Sequence, residues 1–208
     1  MAVTTSALGP FFKAMKAVLG PQAAASTTVS VPGGLYLQHL KLRETNDIDV
    51  FLKGVGTTHI NRLKLRDDIH NFDGNFTQNY EKGGGLTWRD PVTKQIIPID
   101  IIDEWVTKFV PSGLPLDRVS ETTVPWPKPD EVIKMKILSA EDREDDNKKM
   151  RDLDDVRALL LKVGVSMQYK DNAEKAAFRA SLDDSLLYYL KKDASWSAQE
   201  WKRRLNLE

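Results

Sequence analysis

Asp47-Ile48-Asp49 sets two carboxylates two positions apart. In a strand such residues point the same way, which leaves Ile48 and Val50 for the core. Neighbouring carboxylates repel unless a cation sits between them, and oxygen-only donors suit a hard ion such as Mg2+. The plainer reading of this pair is a solvated strand edge. Upstream, Gly33-Gly34 follows a strand-like stretch and opens a helix-like one. Glycines at such a bend let backbone N–H groups approach an anion, although a simple turn would use them too. A phosphate cradle and paired carboxylates within one supersecondary unit are what a nucleoside triphosphate with Mg2+ requires. Asp100, within Ile97-Pro98-Ile99-Asp100-Ile101-Ile102, supplies a third carboxylate. Alternation sets it among mostly apolar neighbours, where it needs a partner: a backbone amide, an arginine, or a metal. As a metal ligand it could also accept the proton of an attacking hydroxyl. Asp103 competes for this role, and Asp100 is preferred.

A second set of charges lies downstream. A helix over Asp130–Arg143 carries Val132, Ile133, Ile137 and Ala140 on its apolar side, and Lys136 and Arg143 fall near the middle of that side. Two cations inside an apolar stripe either pair with buried acids or face a cleft that holds anions. In the next helix Leu153, Val156, Leu160 and Val163 read as inward. Asp152 flanks them and can pair with Lys136 or Arg143, whereas Asp155 reads as ordinary surface.

The elements that must position these groups form two halves. Residues 6–19 read as an amphipathic helix with Phe11, Phe12, Met15, Val18 and Leu19 on one side and Gly20-Pro21 as its stop. Thr28–Val31 is a short strand, Pro32-Gly33-Gly34 a turn, Leu35–Leu40 a helix and Asp47–Leu52 a strand. Thr57 or Thr58 can cap a helix reaching Asn71, with Ile60, Leu63 and Ile69 inward. Phe76–Tyr80, Leu86–Arg89 and Lys94–Ile102 read as a β-meander, with a turn at Gly83-Gly84-Gly85. Pro98 argues for an edge position or a bulge in the last strand. After the proline-rich Val124–Pro129 everything reads as helix: Asp130–Arg143, Met150–Val163, Asn172–Lys192 with a break near Ser181, and Ser197–Leu205. Ser197 and Glu200 are spaced as a capping box, with Trp196 and Trp201 as its staple. Glu141–Arg151 reads as a solvated connection. The expected fold is therefore α/β (α+β): a small mixed β-sheet flanked by helices in residues 1–125, and a helical C-terminal subdomain in 126–208.

Composition narrows the chemistry. The 208 residues contain 30 Lys+Arg and 30 Asp+Glu, so no global field draws in long nucleic acid or an anionic membrane. A local patch such as Lys202-Arg203-Arg204 could still hold a tRNA end. Zero cysteines exclude disulfides, thiolate zinc and a cysteine nucleophile. No apolar run approaches the ~18 residues of a membrane span, and the first twenty residues make a poor signal peptide, so a cytoplasmic protein is expected.

Gly33-Gly34-Leu35-Tyr36-Leu37 followed by Arg43-Glu44-Thr45-Asn46-Asp47-Ile48-Asp49-Val50 resembles the opening motif of nucleotidyltransferases of the DNA polymerase beta-like superfamily. It looks closest to the minimal, abortive-infection-type branch. Met135-Lys136-Ile137, Ala140, Arg143 and Arg151-Asp152-Leu153-x-Asp155-Val156 are similar to that branch's helical motif. The resemblance spans roughly residues 29 to 163. It implies an enzyme that moves an NMP from an NTP, with ATP expected, onto an acceptor and releases pyrophosphate. Asp47, Asp49 and Asp100 would hold Mg2+, two ions being expected, and form the catalytic set. Gly33, Gly34, Arg43, Thr45, Lys136, Arg143 and Asp152 would bind the nucleotide. Two departures stand out: Gly-Gly replaces the superfamily's commoner Gly-Ser, and Arg151 stands where a lysine is usual, which removes a general base.

Two alternatives use the same residues. One is a catalytically inactive nucleotide-binding or protein-interaction module of the same fold. The other is a metal-dependent phosphohydrolase, disfavoured because the three histidines, His39, His59 and His70, give no histidine-rich ligand spacing. The acceptor, whether small molecule, protein or tRNA end, has no signature in the sequence.

Overall fold

The computed structural model describes residues 5–54, 60–79, 85–104 and 108–208. Thr57, Thr58, Tyr80, Gly83 and Gly84 lie outside the described residues. Contacts divide the chain into two compact units, Met1–Pro127 and Lys128–Glu208.

In the first unit, α1 (Leu8–Ala25) leads to β1 (Thr27–Ser30), α2 (Gly33–His39) and β2 (Ile48–Gly54). Then come α3 (Arg62–Phe72), β3 (Phe76–Asn79), β4 (Gly85–Arg89), β5 (Ile96–Asp103) and the two-residue β6 (Leu114–Pro115). The strands form one sheet in the order β3-β4-β5-β2-β1-β6, in which β2 and β5 run parallel and the other neighbours antiparallel. β3, β4 and β5 make the expected meander. Period-two alternation divides the faces. Ile48, Val50, Leu86, Trp88, Ile97, Ile99 and Ile101 are buried against Phe11, Phe12 and Met15 of α1 and Leu65 and Ile69 of α3. The opposite face of β5 carries Ile96, Pro98 and Asp100, all exposed.

Several boundaries differ from expectation for physical reasons. Gly20, at φ 75°, does end the first helix, but Pro21 starts a further turn that carries α1 to Ala25. The side chain of Asn61 caps α3 by accepting from the amides of Leu63 and Lys64. This phasing turns Leu63 outward, 61% exposed, and puts Arg66 inward instead. Pro98 sits in a central strand rather than an edge strand. It pairs with Thr87 on β4, and β2 joins β5 only from Ile48 opposite Ile99, so the proline lies one residue beyond the parallel ladder.

The second unit contains α4 (Pro129–Asp142), α5 (Asp146–Lys162), α6 (Asn172–Lys192) and α7 (Ala198–Arg204). Pro129 opens α4, and the Glu131 carboxylate accepts from the Lys128 amide at 3.0 Å. The side chain of Asp145 caps α5 by accepting from the amides of Asn147 and Lys148. The expected solvated connection therefore shrinks to a few residues, because this cap starts α5 a turn earlier than Met150. Val163 lies just past the end of the helix and is exposed, and Leu159 takes the inward position with Leu160. α6 continues through Ser181, since Ser181 and Ser185 are one turn apart and buried on one face. Ser197 Oγ accepts from the Glu200 amide, but the Glu200 carboxylate turns to Arg203 and Arg204, so only half of the capping box forms. Trp196 and Trp201 meet as the staple, their ring centroids 4.9 Å apart.

Phe11 joins α1 to the sheet, fully buried against Phe12 and Phe76. Phe11→Ala should destabilise the first unit by about 3–5 kcal/mol in urea unfolding, because the site has little freedom to collapse.

Candidate functional site

The carboxylates are positioned by strand register. β2 and β5 are parallel with Asp49 opposite Asp100, which places these side chains side by side on one face. Ile48 pairs with Ile99 and Val50 with Ile101 on the other face, and all four are buried. Asp47 precedes the first residue of β2 and is half-buried, as is Asp49. Asp100 is exposed rather than enclosed by apolar neighbours, because alternation sends those neighbours to the opposite face. Asp103, three residues further along, is buried on the helix-covered face with Arg62 Nε 3.7 Å away. It therefore lies across the sheet from Asp49 and Asp100.

Gly33 and Gly34 have a specific steric reason. Gly33 adopts φ 74°, and a Cβ there would overlap the Asp49 carboxylate, 2.7 Å from its Cγ. At Gly34 a Cβ would overlap Thr45 Oγ1 and lie 2.7 Å from Thr45 Cβ. The glycine pair thus makes room for side chains of this same chain. Thr45 is buried; its hydroxyl donates to Asp47 Oδ1 at 2.6 Å, and its amide donates to Gln38 Oε1 at 3.2 Å. Arg43 Nη1 would stand 3.3 Å from a Cβ at Gly34, and it donates to the Glu44 carbonyl at 2.9 Å. Gly33, Gly34, Arg43, Thr45, Asp47, Asp49 and Asp100 accordingly occupy one neighbourhood. Among the described residues no three His, Asp or Glu side chains converge as a preformed metal site. The donors offered are carboxylate oxygens on one face, the set a hard divalent ion takes. Carboxylates without an intervening cation repel one another.

Lys136, Arg143 and Asp152 form a second group, in the C-terminal unit. Lys136 Nζ lies 2.7 Å from Asp152 Oδ1 and 2.8 Å from Asp155 Oδ2, and Arg143 Nε lies 3.0 Å from Asp152 Oδ2. Burial alone would lower the Lys136 ammonium, but the two aspartates outweigh it and hold its pKa above the ordinary lysine value. Asp155, expected at the surface, is 4% exposed; it lies one helical turn from Asp152 and so shares its face. That i,i+3 spacing was the available signal. Lys134 is a further buried cation, paired with Glu174 at 2.9 Å across to α6. The basic run in α7 is largely neutralised: Lys202 pairs with Asp183, and Arg203 and Arg204 both pair with Glu200.

A cavity of about 670 Å3 lies elsewhere, lined by Phe12, Lys13, Lys16, Phe72, Trp88 and Glu121. Trp88 belongs to the helix-covered face, so this cavity is on the side of the sheet away from the carboxylates. No described helix is long and apolar enough to cross a membrane.

A small mixed sheet presenting paired aspartates beside a glycine-led helix is the arrangement of a nucleotidyltransferase core. The family described as "Nucleotidyl transferase AbiEii toxin, Type IV TA system" matches residues 33–206, and this chain belongs to it. The crystal structure of an antigenic nucleotidyltransferase-like protein from Paracoccidioides brasiliensis is similar in fold. It has a TM-score of 0.60 and 15% identity, covering 98% of this chain and 92% of that one. No curated protein sequence matches.

Lys136→Met would take the ammonium from both buried aspartates and leave Asp152 with Arg143 alone. It should destabilise the chain by about 3–5 kcal/mol at pH 7 in chemical unfolding. Because the folded-state pKa of Lys136 is raised, its contribution is complete below the free-lysine value of 10.5 and is lost as pH rises through the higher folded value. The stability gap between the two proteins should therefore narrow at strongly alkaline pH.

Proposed function

We propose that the chain is a Mg2+-dependent nucleotidyltransferase that moves an NMP, from ATP in the first instance, onto an acceptor hydroxyl with release of pyrophosphate. The observation that supports this most is the in-register placement of Asp49 and Asp100 on adjacent parallel strands, with Asp47 beside them and Asp49 seated against Gly33. Asp47, Asp49 and Asp100 are the metal ligands in this reading; the ions, when bound, neutralise charge at the transferring phosphoryl group. Asp100 is the most exposed of the three, which suits it to meet an arriving acceptor. It takes the proton from the acceptor hydroxyl as that oxygen attacks the α-phosphorus. The α–β phosphoanhydride bond then breaks, and the electron pair leaves with pyrophosphate.

Lys136 is committed to Asp152 and Asp155 and orders the helices. Arg143, with 42% of its side chain exposed, is the cation of that group that retains reach toward an anion. Gly33, Gly34, Arg43 and Thr45 line the nucleotide side of the carboxylates. The setting proposed is cytoplasmic, and an acceptor that is a small molecule, a protein or a tRNA end accords with the neutral net charge.

A non-catalytic nucleotide-binding module is the second reading, favoured by the absence of a preformed three-ligand cluster among the described residues. Asp49→Ala should reduce Mg2+-dependent pyrophosphate release from an ATP and acceptor mixture by at least about a thousandfold while leaving the melting curve cooperative. ATP binding in calorimetry without pyrophosphate from any acceptor pool would select the second reading. Unchanged turnover in the variant would remove the first.

A further inference from the structure

We infer that Thr45 is a positioning residue for the metal-binding carboxylate Asp47, and that Gly34 is glycine because the Thr45 hydroxyl occupies the space its side chain would need. This rests on the metal-dependent reading above and deepens it by assigning work to two residues that touch neither metal nor acceptor. The Thr45 hydroxyl donates to Asp47 Oδ1 at 2.6 Å, a short bond to a charged acceptor. Thr45 is itself anchored to α2: its amide donates to Gln38 Oε1, and the Leu42 and Lys41 amides donate to the carbonyls of Leu37 and Gln38. A continuous set of bonds therefore runs from the glycine-led helix through Gln38 and Thr45 to Asp47.

The physical need for such a brace comes from charge. Asp47 precedes the strand and lacks the ladder that fixes Asp49, and its like-charged neighbours push it toward water. A hydroxyl bonded to one carboxylate oxygen holds the side chain in place and leaves the other oxygen for a cation. The brace exists only while position 34 has no Cβ. Gly34 and Thr45 thus act as a pair, and a side chain at 34 acts by displacing the hydroxyl rather than by blocking a ligand.

The test uses the full chain with Mn2+ as the probe, its binding followed by the electron paramagnetic resonance signal of the free ion and each variant checked by thermal melting. Thr45→Val, which keeps the shape but removes the hydroxyl, should weaken Mn2+ binding about tenfold or more, and Thr45→Ser should restore it to within about threefold. Gly34→Ala should weaken it comparably in the native background and by less than about threefold in a Thr45→Gly background, since the Thr45 side chain is then gone and Arg43 Nη1, 3.3 Å from a Cβ at position 34, has only a small distance to give. Equal Mn2+ affinity for Thr45→Val and the native chain, or additive losses from Gly34→Ala and Thr45→Gly, would overturn the inference. Asp49→Ala separates it from the broader reading. If that variant binds Mn2+ as well as the native chain, the metal site itself is wrong; if it loses binding while Thr45→Val does not, only the brace is wrong. Should Thr45→Val fail to fold, the Gly34 and Thr45 cycle read by Mn2+ affinity decides the matter.

Discussion

Mutual repulsion among carboxylates governs how the N-terminal unit is built around its site. Three acidic side chains on or beside two neighbouring strands would spread into solvent if nothing held them. Register holds two of them: Asp49 and Asp100 face each other because the buried pairs Ile48–Ile99 and Val50–Ile101 permit no slip. A one-residue slip of β2 against β5 would turn Ile48 and Val50 to the carboxylate face and Asp49 into the core. The apolar face of the sheet therefore enforces an arrangement on the polar face that electrostatics alone would disperse.

The glycines serve the same end from the other side. A bend that brings backbone close to a carboxylate cannot carry a Cβ, and Gly33 and Gly34 are the positions where Asp49 and Thr45 press in. The departure from Gly-Ser noted in the sequence acquires a reason here, because a serine side chain would collide with Thr45. The C-terminal unit solves a related problem with the opposite logic. There the acids Asp152 and Asp155 are buried outright and neutralised by Lys136 and Arg143. Such a cluster is costly to form but more costly to break.

Much of the fold was legible because its signals are local and repeated. Alternation over Asp47–Val50 and over Ile97–Ile101 identified both strands and their buried faces, although Pro98 pointed the second to an edge rather than to the centre of the sheet. Pro129 and Gly164 bracketed the start and the end of helical stretches. What escaped was set by partners distant in sequence. Leu63 faces water because Asn61 caps its helix, and Pro98 is tolerated centrally because the parallel neighbour starts one residue later. Asp155 is buried because Lys136, nineteen positions away, needs a second anion. For the candidate site, the residue types and their shared face could be read from spacing. Which oxygen touches which glycine could not, since that depends on how α2 and the following loop return to β2.

Crystallising the chain with Mg2+ and a non-hydrolysable ATP analogue would test the central arrangement directly. Magnesium density within about 2.0–2.1 Å of oxygens from Asp47, Asp49 and Asp100, with the triphosphate on the same face of the sheet, is the predicted result. Ions or nucleotide bound elsewhere, with the three carboxylates left in bulk water, would contradict it.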